Sequence, residues 1–186
     1  KVLKTKTKVL LNSKVSVLNL KEKKYKINNK IKKFDIVIST ISPDFLFNKK
    51  FGELGYIGRD FHKIVFPTEN VFPKDVFFLY YANNEKFTRL VEYKKFTKHK
   101  SKTSLVGIEF PSKNGKFYPL PFKKEIKKAQ KYLKSLPPWY FSIGRAGTYR
   151  YEVDIDDTIE QSLEIKKIIE NDNYTDAMPI KKWWKI

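Results

Sequence analysis

Short apolar runs separated by polar stretches follow one another along the chain, and this pattern predicts a mixture of strands and helices. Near the start, strands are predicted at residues 9–11, 15–18 and 25–27. Residues 34–40 have an unbroken apolar centre, which is typical of a strand covered on both faces in a parallel sheet. The beginning of the chain is therefore expected to have α/β character.

The middle of the chain, residues 45–138, is dominated by predicted strands. The runs 76–81, 88–93 and 104–110 are rich in aromatic and β-branched residues, with polar turns between them. One helix is predicted over residues 123–136, because apolar residues recur on one of its faces and two prolines follow it. This region reads as an antiparallel sheet with one helix.

The last part of the chain returns to an α/β pattern. A buried strand is predicted over residues 139–143, and a helix over residues 156–170. Either Asp156 or Asp157 is expected to be the N-cap of that helix, since aspartate accepts hydrogen bonds from the free N–H groups of a first turn.

These elements predict an α/β (α+β) protein with an antiparallel sheet inserted into it. Residues 1–44 and 139–186 together would form one domain, and residues 45–138 the inserted one. A chain of 186 residues is long enough for one domain or two small ones.

Composition excludes several kinds of chemistry. The sequence contains no cysteine and only two histidines, His62 and His99, so thiolate nucleophiles and disulfides are excluded and a histidine metal site is not expected. No apolar run approaches the roughly 20 residues that span a bilayer, and the first residues do not resemble a signal peptide. We therefore expect a cytoplasmic protein without a membrane span.

The net charge of +19 raises the question of a nucleic-acid partner. Only four of the 39 basic residues are arginine, and the abundance of lysine, asparagine and isoleucine throughout the chain indicates a compositional bias. We do not expect nucleic acid as a partner for this reason. The arginines are informative instead, because a planar, bidentate cation suits sites that lysine cannot serve. They are Arg59, Arg89, Arg145 and Arg150.

Several short motifs occur in a fixed order. They are Thr40 to Asp44, Phe51 to Tyr56, T-R-x-x-E-x-K at 88–94, Glu109-Phe110-Pro111, Phe117-Tyr118-Pro119, and G-R-x-G-x-Y-x-Y at 144–151 followed by Asp154-Ile155-Asp156. In residue types and order they resemble the motifs of UDP-galactopyranose mutases. The chain is similar to the C-terminal part of that family.

The resemblance implies a flavin enzyme. Residues 1–44 and 139–186 would be part of an FAD-binding, Rossmann-like fold, and residues 45–138 would be the substrate-binding sheet. The family interconverts UDP-galactopyranose and UDP-galactofuranose with reduced FAD, whose N5 atom acts as the nucleophile. The implied partners are UDP-galactose and an N-terminal FAD-binding half, in the same or a separate chain, while a homodimer is left open.

One expected motif is missing from the sequence. No G-x-G-x-x-G turn follows a predicted strand, and that turn would cradle the phosphates of FAD. We therefore expect the 186-residue chain by itself to bind no FAD and to be inactive.

The resemblance also implies substrate-binding residues. Arg89 and Arg145 would be catalytic and would bind the diphosphate, because cations are needed where charge develops on the leaving UDP. Tyr118, Tyr149 and Tyr151 would contact the substrate as rigid, neutral hydrogen-bond donors. Tyr149 and Tyr151 are expected one strand step apart, on the same face.

Four residues would contact the flavin by the same resemblance. They are Gly144, Arg145, Asp154 and Ile155, with Asp156 as the alternative to Asp154. The helix that follows would direct its positive N-terminal end toward the isoalloxazine, which favours the anionic reduced form. The alternative for Asp154 is a turn or N-cap residue. No metal is expected.

Two other functions remain open from the sequence. A related flavin amine oxidase would share the flavin fold but differ in the inserted sheet, and the presence of both Arg89 and Tyr118 favours the mutase. A non-catalytic basic binding or structural module would show steeply salt-dependent binding to nucleic acid and no preference for UDP.

Overall fold

A computed structural model describes residues 7–171 of the protein, which form two compact units. Unit 1 contains the described parts of Lys1–Leu54 and Pro121–Ile186, and unit 2 contains Gly55–Leu120. None of the helices between residues 7 and 171 is long and apolar enough to cross a membrane. The elements in chain order are β1 (Val15–Asn19), β2 (Lys24–Ile27), β3 (Lys30–Lys33), β4 (Val37–Ser39), α1 (Pro43–Leu46), β5 (Tyr56–Phe66), β6 (Phe78–Tyr80), β7 (Arg89–Glu92), α2 (Tyr93–Thr97), β8 (Ser104–Ser112), β9 (Tyr118–Pro119), α3 (Lys123–Lys134), β10 (Tyr140–Ser142), α4 (Gly144–Thr148) and α5 (Ile155–Glu170).

The first three strands form an antiparallel sheet in unit 1. The β2–β3 turn places Asn28 and Asn29 at positive φ, a conformation that asparagine adopts more readily than most residues. The strands predicted at 15–18 and 25–27 are confirmed as β1 and β2. The strand predicted at 9–11 is wrong, since these residues are exposed and pair with no strand in the described part of the chain.

A parallel strand pair confirms the α/β character of unit 1. Strand β4 pairs with β10, with Val37 opposite Tyr140. Strand β10 is fully buried, as predicted, whereas Ile38 of β4 is 52% exposed. The expectation that residues 34–40 are covered on both faces is therefore wrong within the described residues, where the core covers β4 on one face only.

Two apolar clusters form the core of unit 1. Leu133 and Leu136, at the end of α3 and just beyond it, pack with Tyr140 of β10. Phe141 and Ile165 connect β10 to α5 in the second cluster. Both predicted helices are confirmed. The predicted apolar face of α3 packs against β10, whereas α5 packs through Ile165 and leaves Ile159 and Leu163 exposed.

Unit 2 is a five-stranded antiparallel sheet with the order β6-β7-β8-β5-β9. Its longest strand, β5, was not predicted, because residues 61–65 are all exposed and lack the alternation of a half-buried strand. Gly58 allows the start of this strand to pass close to the loop between β8 and β9. A Cβ atom at Gly58 would lie 1.4 Å from the backbone oxygen of Asn114.

The division into units differs from the predicted domain boundaries. Unit 2 covers Gly55–Leu120 rather than 45–138, because α1 and α3 pack with unit 1. Ser42 is the N-cap of α1, and Pro43 and Asp44 form its first turn. Residues 172–186 of the predicted flavin-binding portion lie outside the described residues. The assignment of one unit to flavin and the other to substrate stays a prediction.

Candidate functional site

One face of the sheet in unit 2 carries the chemically informative residues of the motif strands. The strand registers place Tyr80 opposite Arg89, Arg89 opposite Glu109, and Glu109 opposite Phe61. Residues directly opposite one another in neighbouring strands share a face of the sheet. Arg89 thus lies between a buried carboxylate and an exposed phenol.

Arg89 is held by both of these neighbours. Its Nη2 donates to Glu109 Oε1 at 2.8 Å, and its Nη1 donates to Tyr80 Oη at 3.3 Å. The guanidinium carbon also lies 5.6 Å from the centre of the Tyr80 ring, within cation–π range. Burial lowers the pKa of Arg89, but the hydrogen bonds to Glu109 and Tyr80 outweigh it and raise that pKa. Arg89 is therefore a fixed cation.

Arg59 approaches the same carboxylate from β5. Its Nε lies 3.7 Å from Glu109 Oε2, and its Nη1 donates to Thr88 Oγ1 at 2.6 Å. The guanidinium carbon lies 5.1 Å from the centre of the Tyr118 ring. The sequence motifs predict no role for Arg59 or Glu109. The scarcity of arginine was the only signal for Arg59, and its position depends on the unpredicted strand β5.

We call Arg59, Arg89 and Glu109 the arginine–glutamate cluster, and it carries one surplus positive charge. Glu109 is 2% exposed, whereas the side chains of Arg59 and Arg89 are 25% and 28% exposed, so the solvent-facing side of the cluster is cationic. No second carboxylate among residues 7–171 forms an ion pair with either arginine. Arg59 Nε, Arg89 Nε and Glu109 Oε2 are buried and have no hydrogen-bond partner in the described part of the chain. The cluster is therefore suited to bind an anion with several oxygens.

Glu92, from the same motif as Arg89, has a structural role instead. It is fully buried and accepts hydrogen bonds from the backbone N–H of Val71 at 3.0 Å and of Phe72 at 2.9 Å. Ser104 Oγ donates to it as well, and Lys95 Nζ lies 3.5 Å away. Burial raises the pKa of Glu92, but these partners outweigh burial and lower the pKa to about 2. Glu92 thus fixes the 71–72 loop against the sheet.

The second group of candidate residues lies in unit 1, at the start of α5. Asp154 is the N-cap of this helix, and its side chain accepts a hydrogen bond from the backbone N–H of Asp157. In return, the backbone N–H of Asp154 donates to Asp157 Oδ2 at 2.9 Å. The expected N-cap at Asp156 or Asp157 is wrong, because Asp157 completes a capping box that begins at Asp154.

Arg145 is paired with that N-cap residue. Its Nη2 donates to Asp154 Oδ1, and its Nε donates to the backbone oxygen of Val153 at 3.1 Å. The guanidinium carbon lies 5.5 Å from the centre of the Tyr151 ring. The Asp154 side chain is 69% exposed, so this ion pair contributes little to stability and lies within reach of a ligand.

Tyr149 and Tyr151 do not lie on one strand, contrary to expectation. Gly144, with φ of 71°, leads the chain into α4, and Tyr149 caps this helix in the left-handed conformation. Tyr149 is 4% exposed, whereas Tyr151 is 52% exposed in the turn that follows. Of the two, Tyr151 is the one that a ligand can reach in this chain.

An open groove of about 480 Å³ runs beside the start of α5. Ile155 and Ile159 are 82% and 56% exposed and give the groove an apolar wall. Its lining includes three of the four residues that were predicted to contact flavin, namely Arg145, Asp154 and Ile155. The fourth, Gly144, is buried, and its N–H donates to Gln161 Oε1 at 2.8 Å.

The groove combines an apolar wall with one guanidinium group. An apolar wall beside a guanidinium suits a planar ring that gains negative charge on reduction. The end of α5 contributes less positive charge than expected, because Asp154, Asp156 and Asp157 surround it. Arg145 is therefore the main cation of this groove. No group of three or more metal-ligating side chains occurs within residues 7–171.

Comparison with known proteins identifies the family. The family model for UDP-galactopyranose mutase matches residues 2–151, and the chain therefore belongs to this family. A crystal structure of a reduced UDP-galactopyranose mutase has a TM-score of 0.69 and 17% identity, covering 85% of this chain and 46% of that chain. This likeness confirms the predicted fold class, and the chain spans just under half of that mutase. No curated protein sequence matched the chain.

Proposed function

We propose that this chain supplies the diphosphate-binding residues and part of the flavin site of a UDP-galactopyranose mutase. The observation that carries the proposal is the arginine–glutamate cluster, with two guanidinium groups around one buried carboxylate. Guanidinium groups bind phosphates in a bidentate manner that lysine cannot match. Arginine is rare in this chain, since only four of the 39 basic residues are arginine, and two of these four belong to the cluster.

Arg89 and Arg145 are the catalytic cations in this proposal. When the bond between the sugar and UDP breaks, negative charge develops on the diphosphate. Cations that are already held in place stabilise this charge without reorganisation. Glu109 holds the Arg89 guanidinium group through a hydrogen bond of 2.8 Å between Arg89 Nη2 and Glu109 Oε1. Asp154 holds the Arg145 guanidinium group in the same way.

Tyr118 and Tyr151 are proposed substrate contacts. Each ring lies beside a guanidinium group, that of Tyr118 at Arg59 and that of Tyr151 at Arg145. The Tyr151 ring is therefore adjacent to a proposed catalytic cation, and the Tyr118 ring is adjacent to the arginine–glutamate cluster that contains Arg89. Tyr149 remains a substrate contact by resemblance alone, and its burial argues against a direct contact in this chain.

The cofactor of the proposed reaction is reduced FAD, which supplies the nucleophilic electron pair that displaces UDP from the sugar. Ile155 would cover one side of the ring, and Arg145 would provide positive charge beside it. Asp154 and Gly144 keep Arg145 and the start of α5 in position. Cytoplasmic localisation and an N-terminal FAD-binding half, in the same or a separate chain, belong to the same proposal, while a homodimer is left open.

The test is to replace each catalytic arginine by lysine in an enzyme completed with the FAD-binding half. Arg89→Lys and Arg145→Lys should each reduce turnover more than tenfold, since a hydrogen bond to a charged group contributes about 1.5–3 kcal/mol. Turnover is measured as conversion between UDP-galactofuranose and UDP-galactopyranose by chromatography. Arg150→Lys is the matched control, because Arg150 pairs with its neighbour Glu152. Wild-type rates for both variants would show that the diphosphate assignment is wrong.

A further inference from the structure

Arg59 has hydrogen-bonding capacity that residues 7–171 do not use. An arginine side chain has five N–H donors, and within the described part of the chain only Nη1 of Arg59 forms a hydrogen bond, to Thr88. Its Nε is buried beside Glu109 and has no hydrogen-bond partner there. The side chain as a whole is 25% exposed, so a ligand can approach the guanidinium group from its exposed side and accept hydrogen bonds from the unused donors.

Each of the other three arginines donates a hydrogen bond to a carboxylate. Arg89 donates to Glu109 Oε1 at 2.8 Å, Arg145 to Asp154, and Arg150 to Glu152 Oε1 at 2.7 Å. Among residues 7–171, the nearest carboxylate oxygen to Arg59 is 3.7 Å away, beyond hydrogen-bonding distance. The surplus charge of the arginine–glutamate cluster is therefore located on Arg59.

The position of Arg59 relative to Arg89 suits one bridging ligand. The two guanidinium groups approach the two oxygens of a single carboxylate, Glu109, and are thus close neighbours. Thr88, which binds Arg59, directly precedes Arg89 in the chain. A diphosphate carries two adjacent phosphoryl groups, so each guanidinium can bind one of them.

We infer that Arg59 is a second diphosphate-binding residue, which binds the substrate together with Arg89. The inference rests on the proposed function of Arg89 and adds a ligand-binding residue to the same site. Glu109 lies buried beside both guanidinium groups and fixes their spacing. The ring of Tyr118, 5.1 Å from the Arg59 guanidinium carbon, supports this cation from the side.

The experiment measures binding of inorganic pyrophosphate and of UDP to the 186-residue chain by isothermal titration calorimetry at constant ionic strength. Arg59→Lys and Arg89→Lys should each weaken the binding of both probes about tenfold. A loss of this size is expected when one charge-assisted hydrogen bond is removed. Lys63→Gln is the matched control. It removes a full positive charge from the same strand, β5, at an exposed position, and binding should change less than twofold.

The outcomes separate the inference from the proposed function. If Arg89→Lys weakens binding and Arg59→Lys does not, the proposed role of Arg59 is wrong and that of Arg89 is retained. Unchanged binding in both variants, or no binding by the wild-type chain, would overturn the diphosphate site itself. Each affinity is calculated with the concentration of folded protein, and the folded fraction of each variant is measured by near-UV circular dichroism. Arg59→Gln, which removes the positive charge and leaves a polar side chain, is a second variant and should also bind at least tenfold more weakly.

Discussion

Replacing Glu92 by glutamine tests how unit 2 is held together. The Glu92 carboxylate accepts hydrogen bonds from Val71, Phe72 and Ser104 and faces Lys95, which is 7% exposed. Glutamine has nearly the same shape but no charge, so Lys95 would lose its counter-ion in a buried position. Removing one partner of a buried ion pair is strongly destabilising.

The magnitude follows from the pKa of Glu92. Its pKa is about 2 in the folded protein, compared with an ordinary value of 4.5. That difference corresponds to about 3 kcal/mol of folding free energy at neutral pH. Because the folded-state pKa is the lower one, this stabilisation is complete above about pH 5 and is lost as the pH falls toward 2.

The assay is urea unfolding of wild type and Glu92→Gln at several pH values between 7 and 3, followed by circular dichroism. At pH 7 the variant should be about 3 kcal/mol less stable, and the difference should shrink as the pH approaches 3. Glu69→Gln is the control, since Glu69 is exposed in the neighbouring loop, and it should change stability by less than about 0.5 kcal/mol. A difference that is absent at pH 7, or equal at pH 7 and pH 3, would refute the reasoning.

Three further predictions concern packing, the substrate and the cofactor. Gly58→Ala should lower the free energy of unfolding by more than about 2 kcal/mol in urea titrations, because the added Cβ would collide with the Asn114 carbonyl. A variant as stable as the wild type would contradict this packing. In the completed enzyme, Tyr118→Phe should weaken UDP binding by calorimetry less than Arg89→Lys does, since a neutral hydrogen bond contributes about 0.5–1.5 kcal/mol; the opposite order would count against Arg89. The 186-residue chain should purify colourless and gain flavin absorbance when the FAD-binding half is added, and stoichiometric FAD in the chain alone would disprove the need for that half.

The parts of the fold that could be predicted are those with one dominant local signal. Strand β10 is a short apolar run and is buried throughout, and α3 has a continuous apolar face that packs in the core. Strand β5 escaped prediction because its pairing with β8, and not burial of its side chains, makes it a strand. The segment 9–11 failed for the opposite reason, since its apolar residues have no partner strand within the described part of unit 1.

The candidate site was predictable where a motif marks a residue directly. Arg89 and Arg145 follow from their motifs, and the structure gives each a fixed, partly exposed guanidinium group. Arg59 could not be located from sequence, because its neighbours depend on the register of β5 with β8. Tyr149 was misplaced because Gly144 starts a helix where a strand was expected.

The reduced-flavin mutase reaction is the central claim, and its dependence on flavin oxidation state tests it most directly. The completed enzyme is given UDP-galactopyranose without oxygen, either with oxidised FAD or after reduction by dithionite, and the furanose form is measured by chromatography. The account predicts interconversion only after reduction, with no electron acceptor consumed. Turnover only with oxidised flavin, accompanied by hydrogen peroxide when oxygen is admitted, would contradict the account and indicate an amine oxidase.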